Sequence, residues 1–227
     1  MRNKSRIKIN ILIIFVFLTI LHISLCQYGF SEEKITSIDW KNLNKSWDAY
    51  IAYPSSKNLE KVSILLPYLN WRKYLDHLSK IVYGGDIVLK KMVKDLWLLE
   101  KEAYSGNIGA VIVLHKLVTI LDGWDKRDVL SILGNLIRIN PSLFLEEISQ
   151  QIENIDKDDF NDILCYLDTV FYTDKIMTQY REIDLRIKSL ESVKKDSLIA
   201  SKTKCLEVLM KEKEGYERIL GIEKKPK

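Results

Sequence analysis

From Glu32 onward, apolar residues recur at intervals of three and four, and turn residues cut the pattern into segments of helical length. Trp40, Leu43, Trp47 and Tyr50 line a first predicted helix that Pro54 ends. Ser55 or Ser56 caps a second, with Leu59, Val62, Leu65 and Leu66 on its apolar side up to Pro67. Asn70 precedes Trp71, Tyr74, Leu75, Leu78, Ile81 and Val82, and Gly84-Gly85 closes that helix. Asp86 opens another through Leu89, Met92, Val93, Leu96 and Leu99. Asn107 caps the most apolar segment, Ile108 to Leu121, which Asp122-Gly123 stops. In "WDKRDV" the expected N-cap is Asp125, with Asp128 completing an Asp variant of the capping box. Trp124 and Val129 take the two places of a hydrophobic staple there. Asn140-Pro141 restarts the chain for Phe144, Leu145, Ile148, Ile152 and Ile155. Asp156 and Asp158 lead into Phe160, Ile163, Leu164, Leu167 and Phe171. A last region from Thr173 or Asp174 carries Ile176, Tyr180, Ile183, Ile187 and Leu190, loses regularity near Lys194 to Ser201, and resumes with Leu206, Leu209, Tyr216, Ile219 and Leu220. That pattern predicts a hairpin of two long helices, with one long rod as the alternative.

No stretch alternates by two over a useful length, so the expected class is all-α. The architecture expected is an irregular helical stack or α-solenoid-like bundle, ending in a long helix or helical hairpin. The organisation read from the pattern is a leader over 1–31, a multi-helix stack over 32–173, a C-terminal long helix or hairpin over 174–221 packed on the same domain, and a disordered tail over 222–227. Between Ile108 and Ile155 the succession of helices and short turns resembles HEAT- or armadillo-type helical pairs, which implies neighbours burying the faces they share. "WDAYIAYPSSKNLEKVSILLP", Trp47 to Pro67, resembles segments in exported bacterial proteins of unassigned function and implies export.

The first segment has a different pattern. Arg2, Lys4, Arg6 and Lys8 precede an apolar block from Ile11 to Leu21 broken only by Thr19, the layout of a secretory signal. Eleven helical residues cover about 16 Å, roughly half of a bilayer's hydrocarbon core. The uncharged run continues from Ile9 to Ser31, so a retained single-pass anchor is the alternative to cleavage. Small residues at Gly29 and Ser31 favour a cut that leaves Glu32 first; Ser24 and Cys26 offer a second cut that leaves Gln27 first. Ile23 and Ser24 before Cys26 also resemble a bacterial lipoprotein box, which implies lipidation of Cys26, but Leu25 departs from the Gly, Ala or Ser expected there.

Charge changes meaning once the leader is set aside. The whole chain has 35 basic and 31 acidic residues, and the four leader cations account for the entire excess. A near-neutral remainder argues against a nucleic-acid partner. The distribution is uneven: Glu146 to Asp174 holds nine acidic residues and one lysine, whereas Lys175 to Lys227 holds fourteen basic and nine acidic. Spacing also pairs Glu182 with Arg186 and Glu207 with Lys211 on helix surfaces.

Candidate chemistry is sparse. Beyond the leader, His77 and His115 stand outside any zinc or HExxH spacing and read as helix-flank histidines, so no metal ligand or cofactor is expected. "DKDDFND", Asp156 to Asp162, fails as a calcium loop, because Phe160 and Asn161 stand where an oxygen ligand and glycine are needed. Asp156, Asp158 and Asp159 remain as a surface cation candidate, with helix-start aspartates as the plainer account. Gly106-Asn107-Ile108-Gly109 follows no strand and reads as a turn. Cys165 and Cys205 are a possible disulfide or two buried thiols. The early aromatics, Trp40, Trp47, Tyr50, Trp71 and Tyr74, either fill gaps between helices or line a binding groove. The expectation is an exported interaction or structural protein with no identified catalytic residue. Its membrane contact would come only through an uncleaved leader or a lipidated Cys26. A carboxylate-based hydrolase of envelope sugar polymers and a small-ligand carrier are the competing readings.

Overall fold

A computed structural model describes residues 38–68, 86–167 and 175–222. The leader over 1–31, together with Trp71, Tyr74 and His77, lies outside the described residues. Ser37–Lys227 forms one compact unit. Its described residues contain ten α-helices and no strand. They are α1 (Trp40–Ala52), α2 (Ser56–Leu65), α3 (Asp86–Lys94), α4 (Leu96–Tyr104), α5 (Ile108–Val118), α6 (Gly123–Ile139), α7 (Pro141–Gln151), α8 (Lys157–Cys165), α9 (Lys175–Ser192) and α10 (Ile199–Leu220). A short 3-10 turn, Asp196–Leu198, joins the last two.

Several starts follow from local chemistry. Ser55 Oγ accepts from the Asn58 amide at 3.2 Å, Asn107 Oδ1 from Gly109 at 3.0 Å, and Asn140 Oδ1 from Leu143 at 3.2 Å. Asp156 Oδ1 accepts from Asp158 at 2.9 Å. Each cap satisfies an amide that the first helical turn leaves without an intrahelical partner. Gly106, at φ +100°, supplies the left-handed turn before Asn107.

Three expectations are corrected. α6 begins at Gly123, so Asp125 lies inside its first turn rather than at the N-cap, and Asp122 in the cap position makes no side-chain capping bond. Gly123 at φ +55° reaches a conformation that a side chain there would strain, which lets the helix open three residues earlier than the aspartate pattern suggests. Trp124 is 71% exposed, under the Arg127 guanidinium at 4.7 Å, so it does not staple onto buried Val129. The helix expected from Asp86 to Leu99 breaks at Asp95, where a bond from Leu98 N to Asp95 O tightens the chain between α3 and α4.

The core surrounds α5 and α6. α5 packs on α2, α4, α6 and α7, and α6 packs on α4, α5, α7, α8 and α9. Position explains the composition of α5: Ala110, Val111, Val113, Leu114, Leu117 and Val118 are all fully buried, forming one wide apolar face. The long helices α9 and α10 pack on each other as the expected hairpin, through Ile183, Leu190, Cys205 and Leu209. Gly221, at φ +64°, ends α10 with its amide turned back to Glu217 and Arg218.

Candidate functional site

The most concentrated polar chemistry in the core joins α2, α5 and α7. His115 on α5 is fully buried, and its Nδ1 sits against Glu147 Oε2 of α7, itself 1% exposed. The contact is out of line for a hydrogen bond, and His115 Nε2 meets no partner among the described residues. Tyr68, just beyond α2 and Pro67, donates its hydroxyl to Glu147 Oε1 at 2.6 Å. Lys116 donates to the Ser63 carbonyl of α2 at 2.5 Å and lies 5.2 Å from the Tyr68 ring centre. Phe144, one turn before Glu147, tilts against the imidazole with ring centres 5.7 Å apart.

A carboxylate in so dry a place is costly unless it is paired and hydrogen-bonded. Glu147 has the imidazole on one oxygen and the phenol on the other. Burial, then the Glu147 charge and its hydrogen bond, push the Tyr68 phenol well above its ordinary value, so it stays a proton donor. Burial holds Lys116 below the ordinary lysine value, with Glu147 pulling the other way. The arrangement ties α5, α7 and the segment just after α2 together through one carboxylate.

Two further buried ionic joints brace neighbouring helices. Lys126 on α6 reaches Asp159 at 2.7 Å and Asp162 at 3.3 Å on α8. Burial holds the Asp159 carboxyl above its ordinary range against the opposing pull of Lys126. Of the aspartates considered above as a cation candidate, Asp156 caps α8 and Asp159 is buried on Lys126, and among the described residues no three acidic, histidine or cysteine groups converge on a metal position. Arg186 on α9 is buried and donates Nη1 to the Leu164 carbonyl near the end of α8 at 2.6 Å. Burial pulls its guanidinium down to about 10. Arg186 therefore leaves its expected helix neighbour, and Glu182 pairs with Arg138 of α6 at 2.8 Å. At the outer edge, Lys213 of α10 binds Asp184 of α9, and Lys188 binds the same carboxylate at 2.7 Å.

Among the aromatics singled out earlier, Trp47 and Tyr50 are wholly inside, ring centres 5.3 Å apart, while Trp40 is half-buried. The Trp47 indole N–H and the Tyr50 hydroxyl have no hydrogen-bond partner among the described residues. Cys165 and Cys205 carry free thiols, which burial pushes up to about 12. A shallow cleft of about 350 Å³ opens between α6 and α9, lined by Asn135, Arg138, Ile139, Leu185 and Ser189.

Glu147 and Lys116 went unremarked in the sequence, and Tyr68 counted there only as one of the early aromatics. The available signal was register: Glu147 follows Phe144 by three and precedes Ile148 by one, a polar residue on an apolar face. His115 likewise stands four after Val111 and three before Val118. No protein-family model, no curated protein and no solved structure matches the chain.

Proposed function

We propose that the chain is an exported helical protein with an interaction or structural role at the cell envelope or exterior, built as an irregular stack behind its leader. The observation that supports this most is the use made of its buried charge. Glu147, Lys126 and Arg186 each direct their contacts to an adjoining helix. Buried ionic groups arranged this way brace one helix on the next, and their desolvation leaves little to offer a substrate. Export rests on the four cations and apolar block ahead of Ser31, and on the neutral balance after it.

The test is to express the full chain in an exporting bacterial host, fractionate the cells, and determine the mass of the recovered protein. Export predicts recovery outside the cytosol, beginning at Glu32 or Gln27 or carrying lipid on Cys26. Intact precursor confined to the cytosol overturns the reading.

A further inference from the structure

The cleft between α6 and α9 is built from polar and apolar groups on two packed helices. Asn135 and Arg138 stand one turn apart on α6, and Leu185 and Ser189 one turn apart on α9. Ile139 and Leu185, one from each helix, leave 55% and 39% of their surface exposed, so the cleft offers apolar area that the core does not use. Arg138 gives Nη1 to Glu182 Oε2 at 2.8 Å, and its Nε and Nη2 make no hydrogen bond among the described residues. A guanidinium held from one side presents its remaining donors in a fixed planar fork.

Charge decides what that fork takes. Arg186, next to Leu185 on α9, is 3% exposed; its Nη1 goes to the Leu164 carbonyl, and its Nε meets no partner among the described residues. Glu182 draws this guanidinium and Arg138 repels it. Two cations thus share Glu182, the one carboxylate in contact with either of them among the described residues. A buried positive charge without a full counter-charge is costly, and an anion bound nearby offsets part of that cost.

We infer that the cleft binds a small monocarboxylate with an aliphatic body, its carboxylate on Arg138 and its body between Ile139 and Leu185. The planar fork matches a carboxylate, and one negative charge balances a surplus of one positive charge. A doubly charged phosphate would instead set its second charge against Glu182. The cleft's volume, about 350 Å³, lies at the lower end of the roughly 300–1,000 Å³ of small-molecule sites, which suits one short acid. Asn135 and Ser189 add neutral polar groups on the same two walls. The same chemistry occurs in a free acid and in the C-terminal residue of a peptide. The inference is independent of export, and either can fail alone.

The experiment titrates the full chain, recovered from expressing cells, with 4-methylpentanoate, its amide and the tripeptide Ala-Ala-Leu, reading the methyl resonances of Ile139 and Leu185. Expected are saturable shifts at both residues with the acid, and binding about ten-fold weaker for the amide, which lacks the charge that strengthens the contact to Arg138. Arg138→Gln is expected to weaken the acid about ten-fold for the same reason. Leu185→Ala is expected to weaken it about three-fold through lost apolar contact. Lys211→Gln, an equal change of charge on α10, is expected to alter it by less than about two-fold, because solvent screens an exposed distant cation. All three positions are exposed or line the open cleft, and far-ultraviolet circular dichroism verifies that each variant keeps its helices. Tighter binding of the tripeptide assigns the carboxylate to a peptide end, and tighter binding of 4-methylpentanoate to a free acid. No saturable shift at Ile139 and Leu185 with either, equal binding of acid and amide, or binding unchanged in Arg138→Gln overturns the inference.

Discussion

At the scale of single residues, Glu147 is the most consequential polar side chain in the described core. One carboxylate takes the Tyr68 hydroxyl and the His115 imidazole, so its removal strands groups from two other parts of the fold. Glu147→Ala is expected to cost about 3–5 kcal/mol in urea unfolding, the usual consequence of breaking a buried ionic contact from one side. Tyr68→Phe removes only the hydrogen bond and is expected to cost about 1.5–3 kcal/mol. Near-equal effects from the two substitutions would mean that His115 contributes nothing to holding the carboxylate. The sequence concealed this trio because its members are far apart in the chain and none belongs to a recognisable motif. Only their register on apolar faces set them apart from surface charge.

At the scale of elements, Arg186 and Gly134 explain each other. A Cβ at Gly134 of α6 would stand 2.2 Å from Arg186 Nη2, so the missing side chain is the space the buried guanidinium occupies. Gly134→Ala is expected to destabilise by about 1–3 kcal/mol through overpacking, despite alanine's better helix propensity. With Arg186→Met in the background, the same change is expected to lose most of that cost; a double-mutant cycle in urea reads the coupling, and simple additivity would refute the steric account. Helix ends were more legible than this joint. Ser55, Asn107, Asn140 and Asp156 act on amides two or three residues away, and side chains that local can be read from sequence. Asp125 misled for a related reason: several aspartates near a helix start are chemically able to cap, and the backbone at Gly123 selects among them.

Across the whole molecule, weakly acidic groups are hidden in numbers that set an alkaline limit. Burial raises Cys165 and Cys205 from 9.0 to about 12, and Tyr50, Tyr104 and Tyr216 from 10.0 to about 12. For each, the unfolded chain releases its proton first, so the folded state binds more protons across the interval. Stability present below pH 9 is therefore expected to fall as pH rises from 9 to 12, with the tyrosines joining the thiols above 10. Urea midpoints measured at stepped pH test this. A component of the tyrosine ionisation absorbance that rises only together with unfolding supports the cause, whereas full ionisation near pH 10 with helices intact would refute it.

What the chain determines by itself is local: three-and-four periodicity, capping side chains and turn residues act over a few positions, enough to specify an all-helical protein ending in a hairpin of long helices. What only the tertiary structure decides is which charges leave the surface. Glu182 and Arg186 are spaced to pair within one helix, yet packing on α6 and α8 sends one to Arg138 and the other to the Leu164 carbonyl. Asp159 belongs to an acidic run by sequence and to a buried joint with Lys126 by fold. Desolvation and partner distance are properties of three dimensions, and residues far apart in the chain acquire both only when their helices meet.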